Sequence, residues 1–217
     1  MTRRLRYLAL WLLALVSAGC QPTATPPLLA SPDTRSVEPQ LLTTATRPPA
    51  TRSRVLMQAR VMLTRTRYDV GQWQFARDPI GFVRAAFWAA GVELIDETLA
   101  QASTHADDDE LVFRSAAEKG RLHRHHPEPG DLVFFDASPQ RQALYPTQVA
   151  IVEAVDARGT VTVLGHFAQG PQRVRFNLRH PDSERLPDGT RLNDRLQGSA
   201  AVPAAQLFRA FANPYDD

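Results

Sequence analysis

A single cysteine, Cys20, and six histidines are the residues of this 217-residue chain best suited to nucleophilic or metal chemistry. A cysteine works as a thiolate nucleophile when a histidine or a helix N-terminus lowers its pKa. Cys20 has no histidine in its sequence neighbourhood. His123, His125 and His126 crowd into Leu122-His-Arg-His-His-Pro127, and imidazole is the commonest ligand for zinc. Pro127 and Pro129 make that stretch a loop of poorly fixed geometry, so no metal site is expected there. His166 follows an apolar run, where Asp131 or Glu153 could pair with it. The acidic run Asp107 to Glu110 lacks the ligand spacing and central glycine of a calcium loop, and fits a helix start instead. No cofactor is expected.

Cys20 has a different context. Arg3, Arg4 and Arg6 precede the apolar stretch Leu5 to Ser17, and Ser17, Ala18 and Gly19 lead into the cysteine. The stretch is too short to span a bilayer comfortably. The pattern resembles a lipobox, with Ser17 where a leucine is usual. That resemblance implies a leader over residues 1–19 and lipidation of Cys20, each buried methylene then contributing about 0.8 kcal/mol of membrane anchoring. Gln21 in place of aspartate points to the outer membrane, facing the periplasm. Losing the three leader arginines would take the formal net charge from +2 to −1. No basic face with interleaved aromatics is present, so nucleic acid is not an expected partner. One cysteine permits no internal disulfide.

Residues 20–51 are rich in Pro, Thr, Ala and Ser, with prolines at 22, 26, 27, 32, 39, 48 and 49. Such a segment reads as an extended, disordered tether. At about 3 Å per residue it would reach at most about 90 Å. Residues 52–217 then form one domain large enough for a real core.

The elements that must position any site follow from periodicity. Val55, Ala59, Met62 and Leu63 form a helical stripe within 54–66. A second helix is expected over 80–90, closed by Gly91, and a third over 111–118, closed by Gly120. The period then changes. Strands are expected over 131–135, 149–155, 160–164 and 173–177, with a hairpin turn at Asp156 to Gly159. Segments 191–196 and 206–211 are expected to pack back on the sheet. Helices first and an antiparallel meander second make an α+β fold.

Two segments carry a family resemblance. The first is Asp78-Pro-Ile-Gly-Phe-Val-Arg-Ala-Ala-Phe87 with Ala90-Gly-Val-Glu-Leu94. The second is Pro129-Gly-Asp-Leu-Val-Phe-Phe135 with Gln148-Val-Ala-Ile-Val-Glu153. Together they resemble the papain-like cell-wall peptidases, the NlpC-type endopeptidases and CHAP amidases. That family shows Asp-Cys-Ser-Gly-Phe-Val, then Pro-Gly-Asp-Leu-Val-Phe-Phe and His-Val-Gly-Ile. The resemblance implies a papain-like α+β fold and a thiolate that attacks an amide of the peptidoglycan stem peptide.

Carried over residue by residue, the resemblance puts the nucleophile at Pro79, the histidine at Gln148 and the third polar group at His166. Proline is no nucleophile, and glutamine has no proton to exchange near neutral pH. The expectation is therefore a degenerate site, with no intact catalytic set, facing a shallow groove. Asp78, Gln148, His166 and Trp73 are its candidate ligand contacts, with partial occlusion by Ile80. The expected partners are peptidoglycan or a cell-wall enzyme, and the membrane through Cys20. Two other readings stay open: an active amidase or endopeptidase with a rearranged or metal-assisted site, and a regulator docking on an active enzyme.

Overall fold

The computed structural model describes residues 52–95, 107–136, 144–196 and 201–215. Residues 1–51, on which the expected leader, the lipidation at Cys20 and the expected tether fall, lie outside the described residues. Helix α1 spans Arg52–Met62 and buries Val55, Leu56, Ala59 and Met62. A hairpin of β1 (Tyr68–Val70) and β2 (Trp73–Phe75) follows, turning at Gly71 with φ 61°. Helix α2 is Pro79–Ala90 and α3 is Asp108–Glu118. Strands β3 (Leu122–His123), β4 (Leu132–Phe135), β5 (Gln148–Val155), β6 (Thr160–Phe167) and β7 (Gly170–Asn177) come next. Two short strands, β8 (Arg195–Leu196) and β9 (Val202–Pro203), pair with each other. A 3-10 turn at Ala204–Leu207 then leads into β10 (Phe208–Ala212).

The main sheet is antiparallel, in the order β3-β10-β4-β5-β6-β7. The expected meander is β4 to β7. His166 lies inside β6, not after it, because that strand runs on to Phe167. Segment 206–211 does not lie across the sheet. Most of it enters the sheet as β10, paired with β4 on one side and β3 on the other.

Both faces of the sheet are covered, which explains the unbroken apolar runs of β4 and β5. Successive side chains point to opposite faces. Leu132, Phe134, Val149 and Ile151 meet α1, α2 and α3, while Val133, Phe135, Ala150 and Val152 face Phe176, Phe211 and the 3-10 turn.

Helix α2 is the most buried of the three. It hides Gly81, Phe82, Val83, Ala85, Ala86, Phe87 and Ala90. Asp78 caps it, accepting the Gly81 N–H at 2.7 Å, and Pro79 takes the first helical position. Gly91 ends it in the left-handed conformation. Gly81 is required for a second reason: a Cβ there would stand 1.9 Å from the Ala76 carbonyl oxygen.

The Pro-Gly-Asp turn before β4 has a structural task. The buried Asp131 carboxylate accepts from Arg52 Nη1 at 2.6 Å and from the Glu128 N–H at 2.9 Å. It thereby ties the start of α1 to the start of β4. Glu153 makes a second tie, bonding Arg60 of α1 at 2.8 Å and Arg173 of β7 at 2.6 Å.

Gly81→Ala is expected to cost about 3 kcal/mol, because backbone must move to admit the methyl; urea unfolding midpoints measure it. Glu153 is held below its ordinary pKa chiefly by Arg173, against the opposing effect of burial, with further help from Arg60. Its contribution is complete above the ordinary value of 4.5 and disappears as pH falls through the lowered one. Glu153→Gln should therefore cost about 1 kcal/mol at neutral pH. The gap from the parent should close in acid, as thermal melts across pH would record.

Candidate functional site

Pro79 stands at the start of α2, on the wall of an open groove of about 690 Å³. Asp78, Ile80, Gly81 and Arg84 extend that wall. β2 contributes Trp73 and Phe75, the start of α3 contributes Asp107 to Asp109, and Thr147 closes the side towards β5. Trp73 is 51 % exposed and its ring sits edge-on against Trp88 at 5.2 Å. Ile80 lines the groove, which stays open beside it.

The groove is acidic with one internal cation. Arg84 hydrogen-bonds and ion-pairs with Asp108, so α2 and α3 are joined across the groove. Its guanidinium also lies over the Phe75 ring at 5.5 Å. Burial and the neighbouring Asp107 and Asp108 push the Asp109 carboxyl up, against the pull of backbone N–H groups at the helix start.

Beside this wall lie the other two expected positions. Gln148 opens β5, and its Nε2 donates to the His166 carbonyl oxygen at 2.7 Å. One amide N–H thus joins β5 to β6. His166 pairs with neither Asp131 nor Glu153, since Arg52 and His123 take the first and Arg60 and Arg173 take the second. Instead, His166 Nδ1 lies 2.9 Å from the hydroxyl of the buried Tyr68. The two rings meet edge-on at 5.8 Å, and Tyr68 also meets Phe82 edge-on at 5.6 Å.

Burial pushes the Tyr68 phenol up to about 12; nearby Arg77 opposes this and Asp78 adds to it. Burial likewise lowers His166, helped by Arg77 and opposed by Asp78. At neutral pH the pair is therefore a phenol and a neutral imidazole. Tyr68 supplies no phenolate nucleophile under those conditions.

The structure brings Asp78, Pro79 and Trp73 to one groove and sets Gln148 and His166 side by side. The fields of Arg77 and Asp78 reach His166, which places the start of α2 near it. Gln148 and His166 are not among the groove-lining residues; Thr147 takes that place. Sequence reasoning missed Arg77, Arg84, Thr147 and the pairing of Tyr68. Of these, only Arg77 carried a signal, a charge adjoining Asp78.

The three clustered histidines separate in role. His123 bonds the His125 carbonyl oxygen through Nδ1 at 2.7 Å and stacks on Phe211. Among the described residues, no three His, Cys, Asp or Glu side chains gather into a set that could hold a metal ion.

Tyr68→Phe should cost about 1 kcal/mol by stranding His166 Nδ1. Because the folded state lowers the His166 pKa, the unfolded chain gains a proton first as pH falls below 6.5. Stability should drop over that range, and His166→Gln should flatten the drop. Urea unfolding at a series of pH values tests both, and a parent and variant with the same slope would contradict the assignment.

No curated protein and no solved structure matches the chain. The NlpC/P60 family matches residues 65–178, from just before β1 to just past β7. That match takes in the groove, the start of α2 and the paired strands β5 and β6, and by it the chain belongs to the NlpC/P60 family.

Proposed function

We propose that this chain is a cell-envelope lipoprotein whose NlpC/P60 domain holds a peptidoglycan peptide without cleaving it. The single observation that carries the reading is Pro79 at the first position of α2, where the family resemblance puts the cysteine. A proline there is compatible with the helix and supplies no thiol. Gln148 supports the same reading. It takes the histidine position, and its amide is spent on a backbone carbonyl rather than poised over the groove.

What remains is a binding surface. Trp73 offers an exposed aromatic face to a peptide or sugar. Asp78 and the acidic start of α3 complement an amine, and Arg84 and Thr147 add polar contacts. NlpC/P60 membership makes peptidoglycan the ligand of first choice. The lipobox pattern at Cys20 and the Pro/Thr-rich residues after it support an outer-membrane anchor with the domain reaching into the periplasm. Docking on an active cell-wall enzyme would use the same surface.

The test pairs two assays on the full chain. The parent should be retained on purified sacculi above an unrelated lipoprotein and should release no muropeptides. The double substitution Pro79→Cys with Gln148→His should gain muropeptide release. Release by the parent would overturn the reading, and so would retention no greater than the control.

A further inference from the structure

A second groove lies on the opposite face of the sheet, and its charge is reversed. It has two lobes, of about 450 and 550 Å³, which share Arg124, His125, Leu178 and Arg179. Phe211 and Val161 line one lobe and Phe208 lines the other, so the walls are apolar between the charges. The one carboxylate among the lining residues is Glu128, and Arg52 holds it at 3.2 Å. Nearby, Asp182 bonds Gln206 and Asp136 pairs with Arg209.

Elsewhere on the domain, arginines commonly pair with carboxylates. Arg60, Arg84, Arg158, Arg173 and Arg195 each meet a carboxylate. Arg124 instead donates to the Arg209 carbonyl oxygen at 2.9 Å and lies over the Phe208 ring at 5.3 Å. Two contacts hold its guanidinium, and no carboxylate pairs with it among the described residues. Arg179 lies against Gly159, where a Cβ would come within 3.3 Å of its Nε. Its guanidinium has no carboxylate partner among the described residues. Guanidiniums with no carboxylate partner among the described residues, set beside apolar walls, match carboxylates on a chain that also carries apolar side chains.

We infer that this groove docks an extended acidic segment of a partner protein, its carboxylates on Arg124 and Arg179 and its apolar side chains in the two lobes. Two arginines beside lobes walled by Val161, Leu178, Phe208 and Phe211 favour a peptide that carries both acidic and apolar side chains. Successive side chains of an extended chain point to opposite sides, so acidic and apolar residues two positions apart share the face that meets this groove. This inference is independent of the peptidoglycan reading, which concerns the groove at α2.

Calorimetric titration of the full chain with a short capped peptide, in which serines separate successive residues that are by turns glutamate and leucine, tests it. Binding is expected, weakening as salt rises. The peptide with glutamine in place of glutamate should bind at least about tenfold more weakly, and Arg179→Gln should cost about tenfold. Arg124→Gln should do the same, with circular dichroism confirming its fold, while Met57→Ala, at an exposed position of α1, leaves the affinity unchanged. Absence of binding, equal affinity for the glutamine peptide, or indifference to Arg179→Gln would overturn the inference. So would binding to phosphatidylglycerol vesicles with none to the peptide.

Discussion

The approach of Gly81 to the Ala76 carbonyl is the constraint on which the groove depends. It lets the first turn of α2 press against the chain that has just left β2, closer than any side chain would allow. The Asp78 cap fixes the same turn from the other side. With both in place, Trp73 of β2 can share one groove with Pro79 and Arg84 of α2. The buried face of α2 then carries this geometry into the sheet through Phe82, which meets Tyr68, which meets His166. The groove and the polar pair behind it are two ends of one packed unit.

Charge pairs fasten the rest. Asp131 and Glu153 are both largely withdrawn from water, and each engages α1. A carboxylate so placed is costly unless its oxygens are occupied, and arginines occupy them here. The Pro-Gly-Asp turn therefore has an architectural task of its own, tying the start of α1 to the start of β4.

Much of the fold was legible in the sequence. β4, β5 and β6 could be read as largely buried runs set off by the turns Pro129-Gly130 and Asp156 to Gly159, and β7 by its alternation. α2 could be read because Asp78, Pro79 and Gly91 mark its ends chemically. The β1–β2 hairpin could not, because its strands have three residues each and bury too few of them to show a period. The placement of β10 depends on pairing with distant strands, which local pattern does not encode. The Tyr68–His166 bond spans 98 positions, and no spacing rule connects them. Pro79 and Gln148 were visible as residue types, but the use of the Gln148 amide to bridge two strands needed the three-dimensional arrangement.

The position of β10 has a kinetic consequence. Phe208 to Ala212 fill the place between β3 and β4, whose residues lie far earlier in the chain. Neither neighbour can complete its ladder until that segment has been made and has found its slot. Closing such a long loop carries an entropic cost before any contact repays it, so topology of this kind slows folding. The meander β4 to β7 can assemble first, with one side of β4 unsatisfied and prone to pair with the wrong strand. Chaperone dependence during biogenesis would follow from that exposed edge.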